Sequence, residues 1–129
     1  MALNDNLSNA LSHIMNCEKV GKKTVNVACS KVITQVLTLL KQHGYVKEFK
    51  VEEHGPKQYT TVTLLGQINK CNVIKPRFPV KKDGFVKYEK RYLPAFDIGF
   101  LIVSTPKGLM THHDAKKKNL GGRLVAYVY

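Results

Sequence analysis

The sequence predicts an α+β fold of two small subdomains, an αβαββ N-terminal half over residues 1–66 packed against a mainly β C-terminal half with short helices over residues 67–129. Three observations carry that prediction. Leu7, Ala10, Leu11, Ile14 and Met15, and then Val32, Ile33, Val36, Leu37 and Leu40, repeat at the spacing by which an amphipathic helix buries one face. From Tyr45 to Leu65 the pattern changes to alternation rich in Val, Thr and Tyr around one Gly-Pro turn, which reads as a β-hairpin. Beyond Gly66 the helical stripes stop, Pro and Gly punctuate the chain, and Phe100-Leu101-Ile102-Val103 forms a continuous apolar run of the kind a doubly buried strand shows.

Each element has a local reason. Helix one, from about Asn6 to Cys17, turns Asn9, Ser12, His13 and Asn16 outward and stops before Gly21-Lys22-Lys23. Thr24 to Val27 is a short β-branched stretch. Ser30 is placed to cap helix two, which Gly44 closes. Glu53 to Lys57 is the hairpin turn, and Gly66 to Lys70 is the seam between halves. Cys71 to Lys75 is a short strand, and Phe85 to Leu93 forms a turn or two of helix. Ser104-Thr105-Pro106-Lys107-Gly108 halts the apolar strand, as an ordinary strand-to-helix turn also would. Thr111 with Asp114 is an acidic variant of the capping box, opening a short helix from His112 to Asn119. Gly121-Gly122 breaks it, and Arg123 to Tyr129 is the last strand.

The 129 residues carry 21 Lys and Arg against 9 Asp and Glu, a formal charge of +12. A surplus of this size favours a polyanionic partner, because cations that neutralise phosphates release condensed counterions. Most of it lies after residue 66, and no polybasic tail is present. No apolar run approaches the ~20 residues of a membrane span. The N-terminus reads directly as an amphipathic helix rather than as a secretory leader. Three cysteines are too few and too scattered for a disulfide framework, so a reducing, cytoplasmic setting is expected.

The motifs of an enzyme are missing. There is no phosphate-binding glycine loop, no Gly-x-Ser-x-Gly elbow and no His-Glu-x-x-His. Glu52, Glu89, Asp97 and Asp114 show no spacing that pairs two carboxylates, and nothing orients a histidine onto Cys71. Neither a catalytic residue nor a cofactor is expected. Nor is a metal site, since no two cysteines are close and His112 and His113 point apart on a helix. Those histidines are expected at the surface and the thiols against the core.

Binding chemistry is better represented. The Ser104 to Gly108 segment presents short hydroxyls, backbone N–H groups and one cation at a rigid edge, suited to a phosphate, a 2′-hydroxyl or a base edge. Ser30-Lys31 sets a lysine beside the positive end of a helix. Lys116, Lys117 and Lys118 suit either a phosphate or the helix C-terminal dipole. Between Lys75 and Arg91 basic and aromatic residues interleave, the mixture that nucleic-acid surfaces use for stacking and charge, although Phe78 and Phe85 are better read as core anchors.

Several of these segments together resemble a known family. They are the N-terminal stretch Asp5 to Asn16, Cys29-Ser30-Lys31, Gly44-Tyr45, Pro76-Arg77-Phe78, Ser104 to Thr111 and Gly121-Gly122. In order and spacing they are similar to ribosomal small-subunit protein eight over essentially the whole chain, and the longer, basic segment from Arg77 to Gly99 looks like its cytosolic archaeal and eukaryotic branch. The resemblance implies a structural, non-catalytic protein that binds ribosomal RNA directly in the central domain of the small subunit and helps it fold, beside neighbouring ribosomal proteins. It places the most specific RNA contacts at Ser104, Thr105 and Lys107, in the loop closed by Gly108. Further contacts follow at Ser30 and Lys31 and at Asn4, Asp5 and Asn16; the basic residues Arg77, Lys116 and Lys117 are expected RNA contacts on their charge and position rather than on the resemblance. Bacterial members tend to have a serine at the position of Pro106 and an acid at that of Arg123. A proline has no N–H to donate, which puts one bacterial-type contact in question. The competing reading is a small basic module that docks on acidic protein or an anionic membrane.

Overall fold

A helix with one apolar stripe needs a surface to lie on, and in the first part of the chain a three-stranded sheet supplies it. The computed structural model describes residues 6–54, 57–75, 77–95 and 98–129. It is α+β, with four helices and two antiparallel sheets among those residues, and it divides into two compact units, Met1–Asn69 and Lys70–Tyr129.

The first unit runs α1 (Asn6–Lys19), β1 (Thr24–Ala28), α2 (Lys31–Gln42), β2 (Val46–His54) and β3 (Lys57–Leu64). The strands order as β1-β3-β2, all antiparallel, with Val25 opposite Val62 and Val62 opposite Phe49. Alternation decides the faces. Val25, Val27, Val46, Val62 and Leu64 are buried, while Thr24, Asn26, Thr61 and Thr63 occupy the alternate positions. On that polar face the Thr61 hydroxyl is 2.9 Å from Asn26 Oδ1 and 3.0 Å from Glu52 Oε2, so its single proton serves two acceptors. α1 lies on β1 and α2 on β2, and the helices meet each other. Leu11, Ile14, Ile33, Val36, Leu37 and Leu40 fill the space between, at about 2 kcal/mol each for full burial. α1 runs two residues past Cys17 because the N–H groups of Gly21 and Lys22 close its last turn on the carbonyls of Glu18 and Cys17.

The second unit runs β4 (Cys71–Val73), β5 (Pro79–Val80), α3 (Phe85–Tyr92), β6 (Phe100–Thr105), β7 (Gly108–Thr111), α4 (His112–Lys117) and β8 (Gly122–Val128). Its sheet orders as β4-β8-β6-β7, with β5 added on β8. Two of these strands carry no sequence signal of their own. β5 is two residues long, and β7 is a strand only because β6 folds back beside it. The expected strand-to-helix turn at Ser104 to Gly108 is therefore a hairpin turn, and α4 begins one strand later. Ile74, Val80, Phe85, Leu93, Leu101, Val103, Met110, Leu124 and Tyr127 pack into one core.

The interleaved aromatics serve this packing. Phe78 stacks on Tyr88 with ring centres 5.6 Å apart, and Tyr92 stacks on Tyr127 at 5.4 Å. The Arg91 guanidinium lies over Phe78 and Tyr92, at 5.4 and 5.3 Å. These faces touch each other, and α3 is laid onto the sheet by them. Phe85 is fully buried. No helix among the described residues is long and apolar enough to cross a membrane.

Candidate nucleic-acid interface

The apolar core ends at Val103, and the next residue on β6 is exposed. Ser104 sits opposite Leu109 on β7 and Arg123 on β8, and Arg123 sits opposite Pro79 on β5. Four strands thus contribute to one row, in which Ser104, Arg123 and Pro79 are all exposed. β8 can come this close because residue 122 is glycine. A Cβ there would collide with the Ser104 carbonyl, and one on Gly121 would stand 2.6 Å from the Val80 carbonyl oxygen. The Gly-Gly pair is a close-approach device that brings β5 and β8 up to the hairpin.

Thr105 and Gly108 pair across the turn, with Pro106 and Lys107 between them. The Thr105 side chain is 8% exposed. Its hydroxyl donates to the Gly108 carbonyl at 2.8 Å and accepts from the Lys107 N–H at 3.2 Å. Gly108 has φ of 110°, a conformation that only glycine adopts without strain. The two hydroxyl residues thus differ in role, since Thr105 fixes the shape of the turn whereas Ser104 and Lys107 face solvent.

Behind the hairpin lies a buried polar cluster that sequence reasoning misplaced. His112 is fully buried rather than at the surface. Its Nδ1 accepts from the Leu101 N–H on β6 at 3.0 Å, and its Nε2 lies 3.2 Å from Glu89 Oε1 on α3. Burial, with the Lys116 and His113 charges beside it, pushes its pKa from 6.5 down to about 4 against the pull of Glu89. The ring is therefore neutral near pH 7, with its proton on Nε2 facing the carboxylate. Lys116 is half-buried, and its ammonium pairs with Glu89 Oε1. Lys117 remains exposed. A single histidine thus fastens the first turn of α4 to β6 through Nδ1, while its Nε2 lies against the Glu89 carboxylate without a hydrogen bond.

In the first unit, Ser30 caps α2 by accepting the Ile33 N–H at 3.2 Å, and Lys31 is exposed on the first helical residue. Asn16 is exposed on α1. Asn4 and Asp5 lie outside the described residues. Arg77 is exposed two residues before the start of β5.

The model of one protein family, Ribosomal protein S8, matches residues 5–129. The chain belongs to the ribosomal protein S8 family. S8 proteins belong to the small ribosomal subunit, bind its RNA, sit among neighbouring ribosomal proteins and act as structural parts rather than as enzymes. In this S8 chain the hairpin at Ser104 and the Gly-Gly pair are thus parts of one piece of backbone geometry. Sequence reasoning missed Arg123 as a member of the row. The signal for it was the Gly-Gly pair immediately before it.

Proposed function

We propose that this S8 protein binds directly in the central domain of the small-subunit RNA and assists its folding, as a non-catalytic part of the cytosolic ribosome. Residues 67–129 carry recognition. Ser104 offers a hydroxyl to a base edge or 2′-hydroxyl of an irregular RNA helix, and Lys107 and Arg123 hold the phosphates on either side. Thr105 and Gly108 keep the turn in shape. Ser30, Lys31, Asn4, Asp5 and Asn16 add contacts from the first half, and Arg77 and Lys117 supply attraction without sequence preference. Lys116 is left out of this set because Glu89 holds it.

The observation that supports this reading best is an exposed hydroxyl at the edge of a buried strand, held rigid by a turn whose own polar groups are satisfied internally. Ser104→Ala should weaken binding to the cognate central-domain helix about tenfold, the loss of one good hydrogen bond, with binding to random RNA unchanged. Equal losses on both RNAs would make Ser104 a mere support and sink the assignment. Affinity for anionic vesicles equal to that for RNA at matched salt would favour a membrane-docking module instead.

A further inference from the structure

Residues Met1–Asn69 carry a cationic concavity that the hairpin site does not use. After α1 closes, the Lys23 carbonyl accepts the Leu64 N–H at 2.7 Å, pinning the start of β1 to the end of β3. Lys22 and Lys23 then border an open cleft of about 440 Å³ whose other lining includes Lys47, Thr63 and Gly66. Lys47 comes from a different element, at the point where the β2–β3 register skips between Val46 and Glu48. Such bulges re-aim a side chain. All three lysines are exposed.

The helix dipole accounts for Lys22 and Lys23 but not for Lys47, which is no part of α1. The last carbonyls of α1 are also already bonded by its own closing turn, which mutes the negative end of the helix. Glu18 is the one acid lining the cleft. Burial raises its carboxyl pKa, partly opposed by the Gly66 N–H. Three ammonium groups around a concave wall focus a positive field there, and a volume of this order suits a nucleotide-sized group.

We infer that this cleft holds the phosphodiester backbone of a second RNA segment, separate from the helix read by the Ser104 turn. The inference rests on the RNA-binding reading above and extends it to a site on the first unit. Lys22, Lys23 and Lys47 supply the cations, and the Thr63 hydroxyl supplies a short donor.

Two measurements on the full chain test it. Inorganic phosphate should shift the amide resonances of Lys22, Lys23, Lys47 and Gly66, and the shifts should vanish in a K22Q/K23Q/K47Q variant. Resonances that ignore phosphate overturn the site. The same variant should keep its affinity for the short cognate helix and lose about tenfold on a longer central-domain RNA. Its log-affinity against log-salt slope on that RNA should become shallower by about two. Unchanged affinity and slope on the long RNA, or equal losses on both RNAs, overturn the proposal of a separate segment. Lys41→Gln, an exposed lysine on α2 away from the cleft, is the control and should leave the long-RNA slope as it is. A wild-type chain that responds to phosphate yet binds the short helix no better than random RNA fails the central-domain reading, not this one.

Discussion

The two units solve the same problem with different chemistry. Met1–Asn69 is held by apolar stripes on a sheet, and apart from the buried hydroxyl of Thr60 and a buried oxygen of Glu18 its described polar groups sit mostly at helix ends and on the outer sheet face. Lys70–Tyr129 has an apolar core of its own but adds a buried carboxylate, Glu89, set between the buried neutral His112 and the half-buried Lys116, and two glycines at backbone contacts. The first arrangement needs little beyond local spacing. The second requires residues far apart in the chain to meet with their charges matched, and it sits behind the hairpin proposed to read RNA. Among the described residues most of the buried polar side chains, Glu89, Thr105, Thr111 and His112, lie in this second unit, with Thr60 in the first.

The comparison can be tested from its largest consequence downward. Leu40→Ala, in the apolar unit, should cost about 3–4 kcal/mol by chemical denaturation, and the loss should be the same from pH 5 to pH 8. The His112 pKa makes a contrary demand on the second unit. The unfolded ring binds a proton near pH 6.5, whereas the folded ring resists protonation down to about pH 4. Stability should therefore be full above pH 6.5 and fall by about 3 kcal/mol as pH drops toward 4. In His112→Phe that part of the slope should disappear even though the variant is weaker overall. A wild-type stability that stays flat across this window would remove the contrast between the units.

Neighbouring lysines divide more finely. Lys116→Met strands a buried carboxylate and should cost about 2 kcal/mol, whereas Lys117→Met should change stability by less than about 0.5 kcal/mol. On RNA the order reverses, with Lys117→Met making the salt slope shallower by about one. Ser30→Ala should cost about 1 kcal/mol, and helix-two amide exchange would locate it at the first turn.

Much of the fold was legible because its signals are local. The stripes of α1 and α2, the cap at Ser30, the period-two hairpin and the Phe100 to Val103 strand each state their structure within a few residues. β5 and β7 were not legible, since two residues of Pro-Val or a Gly-Leu-Met-Thr stretch become strands only when β8 and β6 lie beside them. The site divides in the same way. Ser104, Lys107 and Gly108 stand together in the sequence and stay together in the turn. Arg123 joins them only through sheet pairing, and Lys116 is paired only because Glu89 arrives from another helix.

By itself the sequence determined the α+β class, the excess of positive charge, the two helices with their buried stripes and the hydroxyl-bearing turn, because spacing and residue type act over one or two turns of chain. Only the tertiary structure decided that Thr105 supports while Ser104 faces out, that His112 is neutral and buried, and that Lys22, Lys23 and Lys47 line one cleft. Those outcomes depend on which distant groups become neighbours when water is excluded, and burial and pairing are properties of the folded chain rather than of any segment within it.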